Sequence, residues 1–159
     1  MNRRTAIRQL FVVAGGIIIA SSCSSDVGGS SIQLNTIRLT AKDEALLADL
    51  VEAIIPSSDS PGAKELNLHL FVMKMVDDCS DPEEQEQFIA GLKSAKKLEG
   101  KSTDEILAYL EELPKDDVFL HLLKRRTIQG YMNSEYVMKN KLVYELIPGR
   151  YNGAVKIEA

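Results

Sequence analysis

"TAKDEALLADLVEAIIPSSDSPG", Thr40 to Gly62, decides the fold class of this chain. Thr40 followed three residues later by Asp43 is close to a capping box, the hydroxyl–acid pair that opens a helix. Leu46, Leu47, Leu50, Val51, Ile54 and Ile55 then recur at one-, four- and five-residue offsets. That spacing makes one wide apolar face at the helical period and none of the alternation of a strand. Pro56 has no N–H to continue the ladder and pushes its predecessor out of helical geometry, so it ends the block. A polar loop follows, from Ser57 to Gly62.

The same grammar repeats downstream. Leu68, Phe71, Val72, Met75, Val76 and Cys79 predict a second helix. Asp81 as cap, Pro82 at the first position and Glu83-Glu84 in the first turn open a third, because carboxylates favour the positive end of the helix dipole. Its apolar face is Phe88, Ile89, Leu92, Ala95 and Leu98, and Gly100 ends it. Ser102 or Thr103 caps a short fourth helix carrying Ile106, Leu107, Leu110 and Leu113. A fifth begins near Pro114 with Val118, Phe119, Leu122 and Leu123, and a sixth piece starts at Ser134. From Ile147 the chain is too rich in turn residues for a helix. The expected architecture is all-α, a compact bundle of five to six helices with an irregular C-terminal tail.

Upstream of Thr40 the chain reads as address label and tether. Arg3, Arg4 and Arg8 precede an apolar run from Leu10 to Ala20. As a helix that run rises only about 16 Å, half of a hydrocarbon core of about 30 Å, but it has the length of a signal-peptide core. The Arg3-Arg4 pair resembles a twin-arginine export signal. Ala20-Ser21-Ser22-Cys23 resembles a lipoprotein cleavage box, with Cys23 as the lipid attachment site; the alternative is an ordinary cysteine behind an ordinary cleaved signal. The expected division is a signal peptide over 1–22, a flexible Ser/Gly-rich tether over 23–39 and a helical domain over 40–159. Such a protein would sit on the periplasmic side of the cell envelope, held to the membrane by its lipid.

Losing the leader leaves 16 basic against 23 acidic residues and moves the net charge from −4 to −7. A chain this acidic, with no long basic run, is a poor nucleic-acid binder. With Cys23 lipidated, Cys79 has no partner for a disulfide within the chain. Cys79 ends an apolar stripe and reads as a buried, inert thiol. His69 and His121 lack a second ligand at helical offsets, so they read as surface or boundary residues, with no metal site between them. The acidic pairs, Asp77-Asp78 among them, read as solvated caps and faces. There is no phosphate-binding glycine loop and no heme-attachment motif. The residues supply no catalytic constellation, and no cofactor site is expected in this chain.

Four of the five tyrosines fall between Lys124 and Ile157: Tyr131, Tyr136, Tyr144 and Tyr151. They either complete a small core or, with nearby arginines, present a docking surface, since Tyr and Arg are enriched at interface hot spots. Arg126, Gln129, Tyr131, Arg150 and Tyr151 are the candidate interface residues.

Two stretches carry a family resemblance: "LLADLVEAIIPSSDSPGAKELNLHLFVMKMVDDC", Leu46 to Cys79, and "TIQGYMNSEYVMKNKLVYELIPGRYNGAV", Thr127 to Val155. Their Ile-Ile-Pro, Pro-Gly-Ala, Thr-x-Gln-Gly-Tyr and Pro-Gly-x-Tyr-x-Gly patterns, in this order, resemble the gluconate 2-dehydrogenase subunit 3 family. The resemblance implies an accessory subunit. Its partner would be a large flavoprotein of the glucose-methanol-choline type that holds FAD and oxidises a sugar or sugar acid, often with a cytochrome c subunit carrying heme c. The small subunit would help the flavoprotein mature and cross the membrane. A twin-arginine leader suits that role, because this route carries folded, cofactor-loaded proteins. A lipid-bearing Cys23 departs from the family's usual soluble subunit. The competing reading is an envelope lipoprotein that binds an unrelated partner through its helical surface.

Overall fold

The computed structural model describes residues 29–142 and, beyond them, 147, 149 and 154. The leader with Arg3 and Arg4, the lipidation site Cys23 and most of the C-terminal tail, including Tyr144, Arg150 and Tyr151, lie outside the described residues.

Among the described residues six α-helices follow in order: α1 Ala41–Ile54, α2 Leu68–Cys79, α3 Pro82–Ser94, α4 Thr103–Glu112, α5 Val118–Met132 and α6 Glu135–Asn140. A 3-10 turn, Ala95–Leu98, continues α3. Local chemistry explains most boundaries. Thr40 and Asp43 close a reciprocal capping box on α1, and Ser102 and Glu105 close another on α4. Asp81 accepts from the Glu84 N–H at the start of α3, with Pro82 just inside it. Ser134 does the same for α6 through Val137. Each cap satisfies an amide that the helix itself leaves open.

Two boundaries differ from the expectation. The third apolar block is α3 followed by the tighter turn, which bends the chain before Gly100 takes a left-handed φ of +76°. The fifth helix starts at Val118 rather than near Pro114, because the Asp117 carboxylate accepts from the Leu120 N–H at 2.8 Å and sets the first turn there.

The bundle is all-α. Among the described residues the one extended pairing is an isolated bridge between Gly29 and Thr40. The core is built by α5 lying against α2 and α3, and by α1 lying against α2 and α4. Leu47, Leu50, Val51, Val72, Met73, Val76, Phe88 and Leu123 are fully enclosed. Phe88 and Phe119 meet at 5.3 Å between ring centroids. There α3 and α5 approach so closely that a Cβ on Gly91 would lie 2.3 Å from Phe119. No helix among the described residues is long and apolar enough to cross a membrane.

The part of the expected tether from residue 30 to 39 is packed onto the bundle. Ile37 and Leu39 are buried in the core. The Asp77 carboxylate holds the segment in place: Oδ2 accepts from the Asn35 N–H at 2.7 Å, and Oδ1 accepts from the N–H groups of Thr36 and Ile37 at 2.8 and 3.0 Å. The Thr36 hydroxyl adds a fourth bond to the carboxylate, the third on Oδ1, at 2.7 Å. Burial pushes the Asp77 carboxyl up, but these bonds outweigh it and hold the group well below the usual carboxylate range. Asp77 is therefore an interior latch, not a solvated face.

Cys79 is exposed, against expectation. The buried positions on α2 are the pairs 68/69, 72/73 and 76/77, which advance in steps of four and leave Cys79 at the rim of the last turn. His69 lies inside that stripe with 8 % of its surface exposed, rather than at the boundary. Lys96, which the helical pattern leaves in solvent, reaches back to Asp43 at 2.8 Å and ties the 3-10 turn to the α1 cap.

Candidate interaction site

The two stretches that carry the family resemblance meet in space. Glu52, on α1, accepts from the Ser57 N–H through one carboxylate oxygen and from the Lys64 N–H through the other, both at 2.9 Å. It thereby closes both ends of the polar loop that follows Pro56. Gly62 is needed inside that closure, since a Cβ there would lie 2.5 Å from either Glu52 oxygen. Ala63 is fully buried and donates its N–H to the Ile55 carbonyl at 2.9 Å. From the second stretch, the Tyr131 hydroxyl bonds to Ser60 at the loop tip, 3.1 Å away. Gly130 lets α5 close on Phe71, which would lie 2.8 Å from a Cβ at that position. The Pro-Gly-Ala and Gln-Gly-Tyr patterns thus describe one loop–helix junction.

That geometry sorts the candidate interface residues. Arg126 is buried, with 8 % of its surface exposed; its Nη1 donates to the Gln129 side-chain oxygen at 2.9 Å. Its Nε has no hydrogen-bond partner among the described residues. The three-residue offset puts Arg126 and Gln129 side by side on α5, but Arg126 is turned inward because α5 is flanked by α2 and α3. Tyr131 is half-buried against the core, and Gln129 is exposed.

The free strip of α5 carries what sequence reading missed. His121, Lys124, Arg125, Ile128 and Met132 are all exposed and recur at helical spacing. Beside them lie two depressions of about 320 and 530 Å³ that share Lys115, Leu120 and Lys124. One runs along α4 to Leu107; the other follows α5 to Ile128. Leu107 and Ile128 keep 39 % and 43 % of their surface in water. Across the described linings of the two taken together, Lys115, Lys124 and Arg125 stand against a single carboxylate, Glu111. None of these three cations forms an ion pair among the described residues, whereas Lys64, Lys74, Lys96, Lys101 and Lys139 all do. The signal was present as "KRR" after an apolar run, but only packing shows which of those basic residues face out.

The histidines do not assemble a site. Burial keeps His69 below its ordinary pKa, with its Nδ1 unpaired among the described residues, while His121 is on the surface. No group of three or more His, Cys, Asp or Glu among the described residues is placed to hold a metal ion.

No curated protein and no solved structure matches the chain. A family match does exist: the family described as gluconate 2-dehydrogenase subunit 3 covers residues 41–149, from the first residue of α1 past the end of α6. That family name denotes a subunit of a dehydrogenase complex. The match spans both halves of the loop–helix junction and most of the chain, and on that ground the chain belongs to the gluconate 2-dehydrogenase subunit 3 family.

Proposed function

We propose that this chain is the non-catalytic small subunit, or export and maturation chaperone, of a membrane-associated FAD-dependent sugar or sugar-acid dehydrogenase. The observation that carries the reading is the family match over the whole helical bundle. Supporting it, the family's motif residues Gly62, Ala63, Gly130 and Tyr131 build the fold rather than a reaction centre. A bundle of this kind acts through contact. The partner in this reading is a glucose-methanol-choline-type flavoprotein holding the FAD, with a heme c cytochrome as a further subunit. Arg3 and Arg4 direct export of the folded pair, and a lipid on Cys23 holds the assembly on the periplasmic side of the membrane.

The test is to delete the chain in cells that express the flavoprotein, then follow the location and dye-linked activity of the large subunit. The expected result is a large subunit stranded in the cytoplasm, with the same outcome for Arg3→Lys combined with Arg4→Lys. An exported, fully active flavoprotein in the absence of this chain would refute the proposal.

A further inference from the structure

Resting on the reading of this chain as a dehydrogenase subunit, we propose that the groove between α4 and α5 docks an acidic, apolar segment of the large flavoprotein subunit. Apolar side chains of that segment fill the two adjoining depressions, one beside Leu107 and Leu120 and the other beside Leu120 and Ile128. Its carboxylates pair with Lys115, Lys124 and Arg125.

Charge is the first argument. The chain as a whole carries −4, yet the described lining of this groove holds three unpaired cations against one carboxylate. A local field of opposite sign to the molecule selects an acidic partner and speeds its encounter. Shape is the second. The surface is concave, and a depression of about 320 Å³ takes a few side chains, whereas a bilayer is met by a convex amphipathic face. Symmetry is the third. A two-fold contact between copies of this chain would set the cations of one copy beside those of the other, which is unfavourable for a self-complementary interface. The exposed apolar atoms at the rim fit the same picture: half-wet Leu107 and Ile128 gain most when a partner excludes water from them.

The experiment uses the exported chain, tagged, with the purified large flavoprotein subunit as probe. Three forms are compared: wild type, the triple reversal Lys115→Glu/Lys124→Glu/Arg125→Glu, and Leu107→Ala. Affinity is measured at low and at raised salt, beside a melting curve for each form. Wild-type binding should weaken with salt, and the triple reversal should weaken it by about 10-fold or more with an unchanged melting temperature. Leu107→Ala should weaken binding without adding salt sensitivity. If the reversal lowers the melting temperature, the milder Lys115→Gln/Lys124→Gln/Arg125→Gln replaces it and the same loss is required.

Equal binding by wild type and triple reversal overturns the groove while leaving the subunit reading intact. No binding by wild type removes both. Sedimentation of wild type, but not the reversal, with phosphatidylglycerol vesicles lacking flavoprotein would assign the surface to lipid and overturn the proposal. So would a wild-type dimer that the reversal dissolves.

Discussion

Replacing Asp77 with Asn keeps the shape of the side chain and removes its charge, which isolates the latch on residues 35–37. In the native arrangement one oxygen accepts three bonds, and the other accepts the Asn35 N–H at 2.7 Å and pairs with the Lys74 ammonium at 3.4 Å. Asparagine keeps one acceptor oxygen for the three-donor side. Each of those bonds falls from the charged range of about 1.5–3 kcal/mol to the neutral range of about 0.5–1.5 kcal/mol, a loss of about 1 kcal/mol apiece. The new amide N–H₂ faces the Asn35 N–H, so one donor is left unpaired at a further cost of about 1–3 kcal/mol. Relief from burying a carboxylate offsets part of this, and the net destabilisation comes to about 3 kcal/mol. For a domain of this size that lowers the melting temperature by about 10 °C. Urea unfolding followed by circular dichroism reads the loss. Amide exchange at Asn35, Thr36 and Ile37 reads the release of the segment, which should be protected in the wild type and open in the variant. Asp49→Asn, at an exposed carboxylate that pairs with Lys64 at 2.6 Å and makes no bond to residues 35–37, serves as control and should cost under about 1 kcal/mol. The pH dependence has a definite sign. Because the folded pKa is depressed, the stabilisation is fully present above the unfolded value of about 3.9 and is lost as pH falls below it. The gap between wild type and Asp77→Asn should therefore shrink in acid. A variant within about 1 kcal/mol of wild type, unchanged exchange at residues 35–37, or a gap indifferent to pH would refute the latch.

Gly91→Ala should destabilise by about 1–3 kcal/mol, since its Cβ would lie 2.3 Å from Phe119 across the α3–α5 contact; Gly130→Ala, which meets the Phe71 ring edge at 2.8 Å and Leu68 at 3.4 Å, should cost less, and the reverse order in denaturant melts would refute that ranking of the two approaches. His69 is held neutral by burial, so its folded pKa lies below the unfolded one; stability should fall as pH drops below about 6.5, and His69→Gln should flatten that dependence in urea melts taken from neutral to mildly acidic pH. Thr40→Ala removes the α1 capping box and should cost about 1 kcal/mol, measured by thermal unfolding against wild type. Fatty-acid labelling should mark wild type and not Cys23→Ser, and equal labelling would rule out Cys23 as the lipid site.

The helical class of this protein and most of its helix ends were legible in the sequence because they depend on neighbours within a few residues. Thr40 and Asp81-Pro82 cap the helices they were expected to cap, Ser102 is the one of the Ser102/Thr103 pair that caps, and the last helix begins at Ser134 as expected, since a side chain bonding an amide three residues away needs no tertiary partner. The family was legible too, from motifs whose purpose became clear only when Tyr131 met Ser60 across the fold. Tertiary structure decided the fate of the polar and charged residues. It drew Asp77 inside to hold a segment that composition assigned to a tether, and it turned Arg126 into the interior. It left Cys79 at a helix rim, and it gathered Lys115, Lys124 and Arg125 around one groove. Helical periodicity says which residues share a face, but burial depends on which distant element covers that face. For α5 the packing of α2 and α3 settles that choice.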